Sequence, residues 1–505
     1  MSMVGTRLWG CEVGTRFAAS RTDRRMYSDP NGRVGKPHGS GRDEARPSHS
    51  MDLYRSLVEI LGSEIVSVDP DKLRENSQDK WFASHLPDVV VEPRSTGEVA
   101  KLLSFASTHT VPVTARGAGY GYVGGCVPEQ GGIVLSLIRM NRIKEIAVAD
   151  GVVVAEPGVI TGDLQREVRA KGLFYPPDPA SLKNSSIGGN IATNAGGPRC
   201  LKYGVTRHYV LGLEVVLSDG TVVRVGGRTL KNKTGFDLVG LFVGSEGLLG
   251  IVTEATLRLL PLPPARGSLS TSFATIEEAA TAVQKILLGG YLPSALEIAD
   301  RFTLEAAREH LAQEIVPEGE AHLLIDLDGQ ASSVQNELES LSAKMRSLGA
   351  LHLETALGDD ACERLWELRR GFSESLKATG LIKLNQDVVV PRGRLVDLVK
   401  FAAELQGKFG FPLACFGHAG DGNIHVNIMV ADPQEPGVSA KTEAALDELF
   451  RRVITWGGAI TGEHGIGLAK KRWWPEAVSA ENLALHQRIK RALDPQGILN
   501  PGKFL

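Results

Sequence analysis

The chain is 505 residues long, 42% hydrophobic and 23% charged, with a formal net charge of -3. That length exceeds one ordinary core and predicts two domains, or three. The near-neutral balance excludes the concentrated basic surface that nucleic-acid binding needs, and no apolar run approaches the roughly 20 residues that span a bilayer. Membrane contact is therefore expected to be peripheral at most. The five cysteines are scattered, with no CxxC pair. They point to a reducing compartment, by default the cytoplasm, and away from structural disulfides or a Cys-based zinc site.

In chain order, residues 1–50 are rich in Arg, Gly and Ser with no apolar period, and are expected to be a disordered tail or a start placed too far upstream. Met51 is expected to open an amphipathic helix, MDLYRSLVEILG. From residue 87 the pattern alternates: the strand DVVVEP, the capped helix STGEVAKLLSFASTH, then the strand VPVTA. Further strands are IVLSL, VVVAEPG, LEVVLSDGTVVRV and IVTEATLRLLP. The proline-rich LPLPPARG marks a boundary. Beyond it, the helices TIEEAATAVQKILLGG and SVQNELESLSAKMRSLG flank the strand HLLIDLDG, which predicts an α+β second domain to residue 456. The expected division is a first domain over 51–264, a second over 265–456 and a C-terminal segment over 457–505.

The stretch TARGAGYGYVGG spells G-x-G-x-x-G at Gly119, Gly121 and Gly124. A dinucleotide fingerprint must lead into a helix and be followed about 20 residues later by an acid for the ribose. Here GCVPEQGG follows, which cannot propagate a helix, and the next strand runs into Ile138, Arg139 and Met140. The nicotinamide reading fails on context. A glycine loop between two strands can instead turn several backbone N–H groups toward an anion. A second cluster, SSIGGNIATNAGG, and a third, GFDLVGLFVGSEGLLG, imply an extended ligand with a pyrophosphate.

Chemistry is expected in CFGHAGDGNIHVNIMV, where Asp421-Gly422 is a two-residue hairpin signal. Centring the turn there pairs His418 with His425 and puts their Cβ atoms within roughly 5.5 Å. Asn427 shares their face. GAITGEHGIG adds Glu463 between glycines, completing a His2Glu set with an open position, as in catalytic zinc sites. Zinc is the first expectation, with iron or manganese also suited to these ligands.

The runs PRSTGEVAKLL, ARGAGYGYVGGCVPEQGGIVLSLIRMNRI, DPASLKNSSIGGNIATNAGGPRCLKYGVT and GFDLVGLFVGSEGLLGIVTEATLRLLP together resemble the p-cresol methylhydroxylase (PCMH)-type FAD-binding domain of the vanillyl-alcohol oxidase superfamily. Within it the chain is similar to the D-2-hydroxyacid dehydrogenase branch, from residue 53 to residue 505. The resemblance implies an α+β fold, a two-part FAD-binding domain with an α+β cap and a C-terminal segment that returns to the flavin. It implies FAD contacts at Arg116, Gly117, Ala118, Gly119, Tyr120, Gly121, Pro179, Ser185, Gly188, Gly189, Asn190, Thr193, Asn194, Gly197, Ile251 and Asn500. Relatives carry small residues where this chain has Tyr120 and Tyr122. GHxGDGNxH and GEHG imply a divalent metal on His418, His425 and Glu463, with His464 as the base and Asn427 beside them. Arg369, in the helix ACERLWELRRGFSESL, matches the arginine that grips a substrate carboxylate, and Lys383 is a further candidate.

The function so implied is oxidation of a small 2-hydroxy acid, D-lactate or glycolate, to the 2-oxo acid. The electron acceptor would be a quinone, a cytochrome, an electron-transfer flavoprotein or an iron–sulfur subunit. A homodimer, a D-2-hydroxyglutarate dehydrogenase, a subunit active only within a glycolate oxidase complex, and a non-redox synthase of the same fold remain open at this level.

Overall fold

A computed structural model describes residues 46–311 and 315–505. The expected tail falls outside the described residues as far as 45. Residues 46–50 do not belong to it, because the first helix spans Arg46–Leu61 rather than starting at Met51. Pro47 is tolerated in the first turn, where its missing N–H has no partner to lose. Ser50 Oγ donates to Asp88 at 2.9 Å, fastening that turn to the fold.

Two sheets build the N-terminal half. The first orders Val66–Ser67, Val89–Val91, Ile133–Ser136 and Val113–Arg116, the last three parallel. The helix Thr96–His109 supplies the crossover; Ser95 and Glu98 close a capping box at its start. No helix lies between Val113–Arg116 and Ile133–Ser136, as the glycines there require. The second sheet is antiparallel, in the order Ile143–Ala147, Val152–Ala155, Ile251–Arg258, Val210–Val216 and Val222–Gly226.

A seven-stranded antiparallel sheet dominates the rest, ordered His352–Leu357, Ala265–Phe273, Ala321–Gly329, Ala295–Ala299, Leu413–His418, Asn423–Val430 and Ile382–Val389. Its register sorts side chains into two unlike faces. One face carries Leu269, Phe273, Leu323, Ile325, Ile298, Val426 and Val388, packed under the helices Ile276–Leu288, Ala331–Ser347, Leu395–Phe409 and Pro436–Thr455. The other face is polar: Ser268 opposes Asp326, Glu297 opposes His418, and His425 opposes Asp387. Arg301–His310 and Asp359–Ala378 cover it, with Leu304, Phe372 and Leu376 meeting Phe416. A row of buried polar groups on one face of a sheet costs stability unless each is paired, so it marks where the fold is committed to something besides packing.

Candidate active site

The hairpin carrying His418 and His425 differs from the two-residue turn expected. His418 pairs with Asn423, Gly417 with Ile424 and Phe416 with His425, so residues 419–422 form a four-residue connection. Gly420 takes part in it, its N–H donating to Leu296 O at 3.2 Å. Gly422, at φ +86°, closes it. The two histidines are diagonal neighbours rather than directly opposed, and still share the polar face. Their rings lie 5.6 Å apart, edge to face.

Glu463 approaches both: His418 Nε2 is 3.7 Å from Oε2 and His425 Nε2 is 3.4 Å from Oε1. One ligand atom from each of the three residues fits within a 4.8 Å cluster. Glu297 accepts from His418 Nδ1 at 2.7 Å, which leaves Nε2 free to face inward. Burial alone would strip the proton from His418, but Glu297 and Glu463 outweigh it and hold its pKa well above the usual value. At His425 burial wins, and the ring falls to about 3. Burial would likewise raise Glu463, yet His418, His464 and His425 hold it well below the ordinary carboxylate range. Two histidine nitrogens and one carboxylate, buried and preorientated, fit a divalent metal.

The loop bearing Glu463 is anchored by two acids that sequence reasoning missed. Asp387, fully buried, accepts from the N–H groups of Gly462 at 2.6 Å, Glu463 at 3.1 Å and His464 at 2.9 Å, and from Thr461 Oγ1 and Asn423 Nδ2 at 2.9 Å. Lys470 Nζ, also buried, lies 3.7 Å from it. Despite burial, Lys470 and the neighbouring His464 and His425 hold Asp387 well below the ordinary range. Glu246, at φ +50°, then accepts from Ile466 N at 2.7 Å and Gly467 N at 2.9 Å. Glu246 sits in the SEG triplet of the third glycine cluster. His464, held between these anchors, stacks on His425 at 5.6 Å and meets the Tyr122 ring at 5.4 Å.

Arg369 arrives from the helix Asp359–Ala378 and donates from Nε to Glu297 Oε2 at 2.6 Å. Glu297 therefore serves His418 and Arg369 together; burial opposes its charge, and those two partners bring its pKa down to about 2. Arg369 lies 5.0 Å from the Phe416 ring and Lys383 Nζ 6.0 Å from the same ring. Lys383 Nζ also donates to Ser373 Oγ at 2.7 Å. Asn427, wholly buried, donates from Nδ2 to Ala414 O and His425 O, and its Oδ1 has no partner among the described residues.

The glycine loops meet each other. Ala118 N donates to Ser186 Oγ at 3.3 Å, and a Cβ on Gly117 would overlap that oxygen. Gly119 has φ +73°, and a Cβ there would strike the Arg116 guanidinium, which donates to Gln78 O at 2.6 Å. Tyr120 lies under Lys80 Nζ at 4.6 Å, and Gly121 O accepts from Lys80 N at 2.9 Å. In the second loop Ser186 caps the helix Ile187–Thr193. Gly188 abuts Pro157 and Gly197 abuts Asp178, each too closely for a side chain. Ser185 O accepts from Thr161, Leu182 N donates to Pro179 O, and Gly189 N meets Ser186 Oγ. Thr193 Oγ1 donates to Gly189 O, while Asn194 Oδ1 accepts from Arg207 N. Asn190 turns inward and donates to Thr161 Oγ1 at 2.6 Å, and Ile251 is buried at the start of its strand.

Asn500, at φ +46° and fully buried, joins these parts. Its N–H donates to Val113 O at 2.7 Å, and its Nδ2 donates to Gly125 O at 3.0 Å and Glu246 O at 2.7 Å. Its Oδ1 is buried without a partner among the described residues. Interlocked loops that exclude side chains, with an orphaned buried acceptor beside them, fit an extended cofactor of the FAD kind.

Two family profiles cover the chain: the FAD binding domain matches residues 87–226 and the C-terminal domain of FAD linked oxidases matches residues 262–504. The glycolate oxidase subunit GlcD of Bacillus subtilis (strain 168) is 40% identical over 463 residues, covering 90% of this chain and 97% of the relative. A D-lactate dehydrogenase of Anaerostipes hadrus is 34% identical over 83% of this chain and 89% of its own length. A p-cresol methylhydroxylase structure superposes with a TM-score of 0.72 at 20% identity, over 93% of this chain and 98% of that one. Fold and site thus define an FAD-dependent oxidoreductase of two-domain PCMH-type architecture. The chain belongs to the FAD-linked oxidases, and among them to the GlcD and D-lactate dehydrogenase type. Among the described residues no helix is long and apolar enough to cross a membrane, and Cys126, Cys200, Cys362 and Cys415 are free.

Proposed function

We propose that the protein oxidises a small 2-hydroxy acid, D-lactate or glycolate, to its 2-oxo acid, with a divalent metal on His418, His425 and Glu463. The observation that carries this reading is the shared carboxylate: Glu297 accepts from His418 Nδ1 and from Arg369 Nε. A metal ligand and a carboxylate-binding cation are thereby fixed as one rigid pair. When bound, FAD supplies the acceptor for two electrons and the metal supplies a Lewis acid for the hydroxyl.

Arg369 commits Nε to Glu297, so its terminal nitrogens are left to grip the substrate carboxylate. His464 takes the hydroxyl proton as general base; its main chain is tied to Asp387 and its ring rests against His425. Asn427 Oδ1, buried and unpartnered, faces the same side of the sheet. Zinc suits the two histidines and the carboxylate, as do iron and manganese. Lys383 favours one second reading, D-2-hydroxyglutarate, because it places another cation on Phe416 for a second carboxylate. Kinship with a subunit called glycolate oxidase GlcD supports a further expectation, that electrons leave through partner subunits or a quinone.

Anaerobic mixing of the oxidised holoenzyme with glycolate, D-lactate, L-lactate and D-2-hydroxyglutarate tests the proposal. At least one D-acid or glycolate is expected to bleach the flavin stoichiometrically; if none does, the reading is wrong. Glu463→Gln and His464→Ala are each expected to slow bleaching about 100-fold or more with FAD retained. Chelation should do the same until metal is restored.

A further inference from the structure

On the polar face of the seven-stranded sheet, the edge strand Ile382–Val389 presents Lys383, Asn385 and Asp387. Leu384 and Val388 alternate with them and pack into the apolar core on the other side, which fixes this sorting. Each of the three has a partner on Asn423–Val430: Lys383 opposes Met429, Asn385 opposes Asn427 and Asp387 opposes His425. The outer rows have tasks. Asp387 anchors the Glu463 loop beside the candidate ligand His425, and Lys383 supplies a cation. Between them stands a pair of asparagines, and Asn385 has no task yet.

Both amides lack a partner for their oxygens. Asn427 is fixed in orientation, because its Nδ2 donates to Ala414 O at 2.8 Å and to His425 O at 3.1 Å, and its Oδ1 remains a buried acceptor with nothing to accept among the described residues. Asn385 Oδ1 is likewise buried and unpartnered among the described residues. Directly opposed residues hold their Cβ atoms about 5 Å apart, so the two amides share one patch of the sheet. One buried acceptor without a partner is uncommon; two side by side call for a donor that the chain does not supply. The pair lies two residues along the strands from His425, a step of about 7 Å. Arg369 and Lys383 both reach the adjoining Phe416 ring, at 5.0 and 6.0 Å. The asparagines therefore stand beside the place assigned to the reacting hydroxyl, one carbon further along the acid.

We propose that Asn385 and Asn427 bind a hydroxyl group on C3 of the substrate, so that the preferred acid is a D-2,3-dihydroxy acid, of which D-glycerate is the smallest. A hydroxyl gives one hydrogen and accepts another: Asn427 Oδ1 takes the hydrogen, and Asn385 can turn either end of its amide to the oxygen. The methyl of D-lactate would leave both acceptors unmatched, and a carboxylate on C3 would set oxygen against Asn427 Oδ1. The C3 hydroxyl takes no part in the chemistry. C2 gives its hydride to FAD and its hydroxyl gives a proton to His464, as with the other acids, and the product is a 3-hydroxy-2-oxo acid. The inference rests on the proposed oxidation of a small 2-hydroxy acid and narrows it.

Steady-state rates of the holoenzyme on D-glycerate and D-lactate, with a dye as electron acceptor, test it. The wild type is expected to show a kcat/KM about tenfold higher for D-glycerate. Asn385→Leu, which keeps the size and removes the amide, should erase that ratio through loss on D-glycerate, with D-lactate turned over at least as well as before and FAD content unchanged. Binding is read separately. Equilibrium dialysis of the oxidised holoenzyme should find hydroxypyruvate held about tenfold more tightly than pyruvate, and the two held alike by Asn385→Leu. The proposal is overturned if the wild type favours D-lactate or treats the two acids alike, or if Asn385→Leu leaves the ratio standing. An equal loss on both acids overturns it too, since that marks a structural role. If no 2-hydroxy acid bleaches the flavin, the proposed function falls while dialysis still decides the asparagine pair: preference for hydroxypyruvate sustains it, and equal or absent binding removes it.

Discussion

Lys383 shows how burial near an aromatic ring can set a working pH. Its amino group falls from an ordinary 10.5 to about 8, chiefly because it is buried and further because Lys377 and Arg369 repel it. Under the proposed function it is charged below pH 8 and adds to the attraction of Arg369 for the substrate carboxylate. As pH rises through about 8 the charge is lost, so KM for the acid is expected to climb, and Lys383→Met should flatten that limb. The folding linkage runs the other way. A lysine whose pKa is lowered on folding weighs against the native state while it must stay charged, and that cost lifts as pH rises from about 8 toward 10.5. Affinity and thermal stability should therefore move in opposite directions over that interval. Parallel movement would show that Lys383 does not govern the limb.

Among the elements, the hairpin Leu413–His418 and Asn423–Val430 decides where His418 and His425 stand. Gly422 holds φ +86°, and a Cβ there would overlap Val390 O. Gly422→Ala should cost about 1–3 kcal/mol from the positive φ alone, and more from the overlap. Denaturant unfolding reads that loss, and the metal content of the purified protein should drop with it. The sequence spelling made this hairpin visible, but not its length. Asp-Gly is a strong turn signal, but only the pairing of His418 with Asn423 shows that the turn takes four residues, with Gly420 packed too closely against Leu201 and Leu296 for a side chain. Alternation along NIHVNIMV still put His425 and Asn427 on one face, because side-chain period survives a change of loop. Glu297 and Asp387 were harder to see: each is the lone acid of its strand, and its partners lie far along the chain, 72 residues away for Arg369 and 74 for Thr461. The lone charge inside ALEIA was the available signal, since an unpaired carboxylate is almost never fully buried. The helix start was misjudged for a plainer reason, because a methionine at 51 invites a boundary that the backbone ignores.

Across the whole molecule, Asn500 makes the cofactor site a point where distant chain segments meet. It touches Val113 in the first sheet and Gly125 and Glu246 in two separate loops. A ligand lying there stabilises the native state by about 2.7 kcal/mol at a hundredfold excess over Kd. Flavin-free protein is expected to melt several degrees higher on adding FAD. FMN lacks the second phosphate and the adenosine and should give a much smaller rise; equal shifts would count against an extended pyrophosphate cradle.

The loop carrying Glu463 is glycine-rich and irregular, yet five of its amides end on buried carboxylates. Gly462, Glu463 and His464 donate to Asp387; Ile466 and Gly467 donate to Glu246. Such amides exchange with solvent only when the fold opens around them. Deuterium uptake across 462–467 should therefore be as slow as in a central strand, far slower than a glycine-rich loop would suggest. Asp387→Asn should speed it selectively at 462–464 and leave 466–467 protected. In kinetic language, the loop belongs to the last part of the molecule to open, and the acid that keeps it shut comes from a strand some 75 residues earlier.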